Sequence, residues 1–220
     1  MSFNMYWNGI EVINPTLFSS LIVTVALILL ILIAGSKIKK ADPSKPPKGI
    51  VFAMEFFVTN IEAFAKSTMG EKNLKFAPFI GTLAIYLAVA NLSGLLGLPT
   101  PTSDYSVALS LAVTTLAYIA IAGVKSKGVF GYLKDTYLGD LPAMLPLNII
   151  GQISRPISLS FRLFGNILSG MIIIALLTNG LTLLSVIMPL ANAYFDIFAG
   201  LMQTMIFIML TMIWLQEATE

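Results

Sequence analysis

Residues 141–177 form an almost unbroken apolar run whose only charged side chains are Arg155 and Arg162. As one helix, at ~1.5 Å per residue, the run would measure about 55 Å, against a bilayer hydrocarbon core of ~30 Å. Such an element must be strongly tilted, kinked or broken. These two are also the only arginines in the chain: of 13 basic residues the other eleven are lysines, all within 37–75 or 125–134. A guanidinium keeps its charge at any accessible pH, and at bilayer depth it costs roughly 2.5–3.5 kcal/mol on insertion scales. Placing both arginines there points to a use for them.

The rest of the composition sets the class. The 220 residues are 57% hydrophobic and 11% charged, with a mean hydropathy of +0.87, whereas soluble domains carry about 25% charged residues. This predicts an all-α polytopic membrane protein forming a single membrane domain over 1–220. The net charge of +2 is too small to suggest nucleic acid. With no cysteine there is no thiol nucleophile or thiolate metal site, and with no histidine the usual proton shuttle and metal ligand is missing. Residues 1–15 carry no basic region ahead of the first apolar run, so they do not read as a cleaved signal or transit segment.

Hydropathy and breakers predict about five transmembrane helices, near 16–35, 76–98, 104–124, 141–177 and 181–215. The last two are long and tilted, and Pro189 is placed to bend the final one. Between the first two spans, residues 50–68 interleave Glu55, Glu62 and Lys66 with Phe52, Phe56, Ile61 and Phe64, the pattern of an amphipathic interfacial helix. The opposite-side segments 1–15, 99–104 and 178–182 carry no lysine. The positive-inside rule therefore puts both lysine-rich segments, and the C-terminus, in the cytoplasm and the N-terminus outside.

At about 100° per residue, Asn148, Gly151, Arg155, Ser158, Arg162, Asn166 and Ser169 fall within roughly 60° of arc on one helix. A lone Ser or Asn in a span is ordinarily a hydrogen bond to a neighbouring helix; two arginines on the same line favour function. The last span carries a sparser stripe, Asn192, Asp196 and Gln203, in which Asp196 is the only acid in the core of any span. A carboxyl there can pair an arginine, or relay a proton or cation. Asn91, beside Gly94 and Gly97, is a further candidate. Fixed positive charge, one titratable acid, amides and hydroxyls suit the movement of a small cation, not nucleophilic catalysis or metal hydrolysis. No glycine pattern matches a phosphate-binding loop.

The segment from Ser160 to Gly170, SFRLFGNILSG, resembles the signature of subunit a of F-type ATP synthases of the bacterial type, departing from it at Phe161. Arg155-Pro156 seven residues earlier, the run from Gln203 to Met212 and the run from Asn91 to Gly97 are also similar to that family, and the likeness covers most of the chain beyond about residue 50. The resemblance implies a membrane stator abutting a rotating ring of c subunits, with peripheral-stalk b subunits beside it, in a bacterial inner membrane. It is not an enzyme on its own, and no cofactor or metal is implied. Arg162 would face the ion-binding carboxylate of each passing c subunit, between two aqueous half-channels. Asn91, Asp196 and Gln203 would belong to the external one; Ser158, Asn166 and, by position, Arg155 to the cytoplasmic one, and Asn192, on the stripe of Asp196, is a further ion-path candidate. The family often has His at the position of Asp196 and Glu at that of Met171. The relay then reduces to one carboxyl, which leaves room for Na⁺ beside the favoured H⁺. The competing functions are a stand-alone ion channel or secondary transporter, for which no repeat or matched broken helices are evident, and a structural scaffold, which would tolerate leucine at both arginines.

Overall fold

The computed structural model describes residues 5–7, 10–13, 15–40, 46–96, 98–138, 145–180 and 194–220. It opens with a small antiparallel hairpin, β1 (Met5–Trp7) against β2 (Ile10–Ile13), in which Trp7 pairs Ile10 and Tyr6 pairs Glu11. Among the described residues, everything after it is helical or connecting turn.

Helix α1 (Pro15–Lys39) begins on a proline, whose missing N–H costs nothing at the first helical position. It is apolar all round, yet buries only Ser19, Val23, Leu27 and Ala34. Val23 and Leu27 pack on Ala90, and Ser20 Oγ lies 3.0 Å from the Tyr86 hydroxyl. The remaining apolar side chains face outward, as lipid contact requires. Helix α2 (Ile50–Met69) is delimited by two glycines with left-handed φ, Gly49 at 60° and Gly70 at 75°, a conformation that only glycine adopts freely. It lays Phe57, Ile61, Phe64, Ala65 and Met69 on the bundle and leaves Phe52 and Phe56 exposed.

A 3₁₀ segment, Glu71–Phe76, leads into α3 (Ala77–Leu92). Helix α4 (Tyr105–Leu133) is capped by Asp104, whose carboxylate accepts from Ser106 N at 2.8 Å. It breaks at Gly128, where φ is 77°. The chain folds back there so closely that a Cβ at Gly123 would lie 2.5 Å from the Tyr132 ring. The span expected at 104–124 thus continues to the break at Gly128 instead of ending in a loop. Helix α5 (Leu145–Gly180) and, after a π-helical turn at Tyr194–Ala199, α6 (Gly200–Thr219) complete the fold. Residues 181–193, and with them Asn192 and Pro189, lie outside the described residues.

Among the described residues four helical stretches are long and apolar enough to cross a membrane: Pro15–Lys39, Glu71–Leu96, Tyr105–Leu138 and Ile197–Thr219. Helix α5, 36 residues long, is amphipathic because of its polar stripe. The fold is an all-α polytopic membrane protein. Its core is built where α3, α4, α5 and α6 meet, in two clusters: Ile80, Ile119, Ile208 and Met212 in one, Leu83, Leu87, Leu159, Leu163 and Phe207 in the other. Two long-range hydrogen bonds fix the relation of the ends: Thr219 Oγ1 to Asn73 Oδ1 at 3.2 Å and Ser126 Oγ to Thr219 O at 3.0 Å. They gather the C-terminus of α6 with both lysine-rich segments. At the opposite end Thr16 Oγ1 donates to Asp104 Oδ2 at 3.1 Å.

Candidate functional site

The site follows the seam where α5 and α6 run antiparallel. Two side-chain links set the register: Arg155 to Glu217 and Asn166 to Gln203. On α5 they stand eleven residues apart, roughly 16 Å along the axis.

At the lysine end, Arg155 Nη2 donates to both oxygens of Glu217, at 2.7 and 2.9 Å, and its guanidinium sits 5.5 Å from the centre of the Trp214 ring. Trp214 and Glu217 are three apart on α6 and so share a face. Beside them Lys127 Nζ reaches Asp135 at 3.1 Å. Both pairs line a cavity of about 510 Å³ bounded by α4, its return turn, α5 and α6, with Gln152, Tyr132 and Tyr137 also in its wall. Pro156, in the same wall, has no N–H to give the Gln152 carbonyl one turn back. Asn148, the first residue of the stripe, donates to Tyr137 O at 3.1 Å.

At the other end lies a polar hub. Asn91 is 3% exposed and spends its whole side chain. Nδ2 donates to Gly200 O at 3.0 Å and to Thr204 Oγ1 at 3.1 Å, while Oδ1 accepts from Thr102 Oγ1 at 2.9 Å. Gly200 permits the approach: a Cβ there would stand 3.1 Å from Asn91 Cβ. One residue on from the Thr204 contact, Gln203 is 2% exposed, and its Oε1 accepts from Asn166 Nδ2 at 2.8 Å. Gln203 Nε2 is the one buried side-chain polar atom among the described residues without a protein partner.

Between the two ends the seam is dry. Leu159, Leu163 and Phe207 are each at most 1% exposed and close against Leu83, Leu87, Ala108 and Ala112. Arg162 belongs to this level but not to this core. It stands on the exposed side of α5, with Ser158 and Asn166 one turn to either side and Ser169 beyond. Among the described residues it has no ion pair or hydrogen-bond acceptor.

Geometry thus separates the expected residues into groups. Among the described residues Arg155 has an acidic partner and Arg162 has none. Asn91 and Gln203 lie together at the end of the seam away from the lysine segments. Asn166 is different: it was to accompany Ser158 on the cytoplasmic side, but one turn beyond Arg162 it is in reach of Gln203, and it bonds there. Asp196 falls in the π-helical turn Tyr194–Ala199, a local distortion common at functional sites; its side chain, like that of Met171, lies outside the described residues. Glu217, Thr102 and Thr204 were missed. Glu217 had one available signal, its spacing of three from Trp214 at the level of Arg155.

Comparison with known proteins gives the family. A family model described as "ATP synthase A chain" matches residues 17–216. A relative from Stigeoclonium helveticum, "ATP synthase subunit a, chloroplastic", is 33% identical over 229 aligned residues, which cover 98% of this chain and 89% of that protein.

Proposed function

The chain belongs to the ATP synthase A chain family, and from that membership we propose that it acts as the ion-translocating stator, with Arg162 standing between two half-channels. It is a non-catalytic membrane subunit of the ATP synthase complex. The observation that carries the proposal is the outward Arg162, without an ion pair among the described residues, at the level of a buried apolar layer with polar chemistry above and below it.

Each part of this geometry has a physical consequence. Leu159, Leu163 and Phe207 deny an ion the direct path along the seam, since a charge in hydrocarbon is prohibitive unless solvated or paired. The detour is through a partner that carries the ion past the exposed face of α5. A c-ring carboxylate opposite Arg162 is held in its ionised form by the guanidinium, so the ion it carries is released as it arrives. The same guanidinium repels a free cation attempting to cross without the ring. Each charge delivered down the potential yields about 2.3 kcal/mol per 100 mV. The outer half-channel runs by Asn91, Gln203 and Asn166, with Asp196 and Asn192 ahead of α6; the inner runs by Ser158 and Arg155. Peripheral-stalk b subunits and lipid cover the remaining outer faces. The lysine end, with the C-terminus, is cytoplasmic in a bacterial inner membrane, and α2 lies at that interface.

The carried ion is H⁺ by preference. The test is ATP-driven uptake into vesicles by the intact complex, with and without Na⁺. Uptake that needs no Na⁺ and collapses with a protonophore is the expected result; uptake that requires Na⁺ reassigns the ion. Flux through the purified chain without a ring overturns the stator reading in favour of a stand-alone channel. A second expectation concerns Asp196→Asn, which removes the one acid of the outer path. Ion entry from the outside is expected to slow by about ten-fold or more, in line with the contribution of a positioned acid–base group, with inside-driven transfer less affected. Unchanged flux from both sides would make Asp196 structural.

A further inference from the structure

We propose that Glu217 is a positioning residue for ion transfer: it holds the Arg155 guanidinium against Trp214 and cancels its charge on the wall of the lysine-end cavity, so that a cation can pass. The inference rests on reading that cavity as the inner half-channel. The cavity wall contains two fixed cations, Arg155 and Lys127, with side chains 22% and 17% exposed; their partners Glu217 and Asp135 are 55% and 57% exposed. The cations therefore form the wall and the acids stand toward water. Lys127 keeps Asp135 whatever happens to Glu217. Glu217 is the only acidic partner of Arg155 among the described residues. Both Glu217 oxygens meet a single nitrogen, Nη2, while the ring of Trp214 lies alongside. Carboxylate and ring together aim the guanidinium as well as neutralising it. Without Glu217 the path of the outgoing ion would run beside an uncompensated like charge.

A purely structural role for the pair is separable, because Asn166–Gln203 and the Leu159–Leu163–Phe207 layer tie α5 to α6 independently. The experiment uses the whole complex in vesicles and compares Glu217→Gln with the parent for ion flux and ATP synthesis across ionic strengths. At low salt, transfer is expected to be about five-fold slower, the Boltzmann factor of one unit charge about 4 Å from the ion in water. The defect should fade as the Debye length falls from ~30 Å at 0.01 M to ~3 Å at 1 M. Glu217→Asp should keep most of the flux, and adding Arg155→Gln to Glu217→Gln should restore it. A defect that ignores salt and is not relieved by Arg155→Gln overturns the proposal in favour of a structural tie. No defect at low salt overturns it as well. If Arg162→Ala still abolishes coupling in the same assay, the stator reading stands apart from that failure; if Arg162→Ala leaves coupling intact, it is the stator reading that falls.

Discussion

Arg162→Ala is expected to abolish coupled ATP synthesis and ATP-driven ion uptake while leaving the complex assembled. Both halves follow from where the side chain stands. It lies on the exposed face of α5, and among the described residues it holds no hydrogen bond or ion pair. The residues that anchor α5 at this level are Leu159 and Leu163, on a different face and untouched by the change. Among the described residues truncation therefore breaks no hydrogen bond or ion pair, and surface substitutions of that kind ordinarily shift stability by no more than ~0.5 kcal/mol. The charge is another matter. A cation and a carboxylate about 4 Å apart at an effective dielectric near 20 attract by ~4 kcal/mol, close to a thousand-fold in the ionisation of the rotor site. Without it the site keeps its ion past the stator, and nothing repels a cation leaking between half-channels. ATP synthesis in reconstituted vesicles, with subunit stoichiometry measured in the same preparation, checks both halves. Coupled activity near the parental level would remove Arg162 from the mechanism. Arg162→Lys keeps a charge but loses the planar fork and part of the reach, and should recover only a fraction of the activity.

The level of Arg162 was legible in the sequence because one helix carries the entire stripe. Periodicity needs no knowledge of neighbours, so Asn148, Arg155, Ser158, Arg162 and Asn166 could be placed on one line from spacing alone. What spacing could not supply is the partner of each, since partners depend on the register of α5 against α6. Slipping that register by one turn would move Asn166 off Gln203 and Glu217 off Arg155 together. Glu217 looked solvated because it sits at the chain's end, where acids usually are; its weight comes from a helix remote in sequence. Thr102 lies just after Pro101 in a segment that composition marks only as a turn. Its complete burial arises because its segment packs among α1, α3, α4 and α5, where its hydroxyl donates to Asn91 Oδ1. The break in α4 depends on one glycine, Gly128, in a stretch otherwise able to continue as helix. The N-terminal hairpin had a local signal: Asn8-Gly9 between the strands is the pair that most favours a two-residue loop. It was outweighed by the membrane character of everything that follows.

Asn91→Leu is expected to produce the largest loss of stability of any single change at the polar hub around Asn91, about 2–4 kcal/mol. Leucine keeps the branched heavy-atom skeleton of asparagine but cannot donate or accept, so the cost is chiefly one of hydrogen bonding. Three bonds disappear at once, to Gly200 O, Thr204 Oγ1 and Thr102 Oγ1. Their remaining partners are not equally harmed. Gly200 O still accepts from Thr204 Oγ1 at 2.9 Å, whereas Thr102, 0% exposed, loses the acceptor for its hydroxyl. An unsatisfied buried group costs roughly 1–3 kcal/mol, and interhelical bonds within membranes contribute about 0.6–2 kcal/mol each, which together give the figure above. Thermal denaturation of the membrane sector in detergent measures it. Pairing the change with Thr102→Val isolates the cause: removing the orphaned hydroxyl should return about half of the lost stability, and strict additivity of the two changes would mean that they do not share a bond. Asn91→Asp separates stability from transport. A carboxylate still accepts from Thr102 but turns an oxygen toward Gly200 O where a donor is needed, so it should be as destabilising as leucine. It also puts a negative charge beside Gln203 in the outer path, which should change the rate of ion entry at a given stability. If Asn91→Leu and Asn91→Asp slow translocation equally once matched for stability, Asn91 only fastens α3 to α6; unequal rates make it part of the lining that the ion meets.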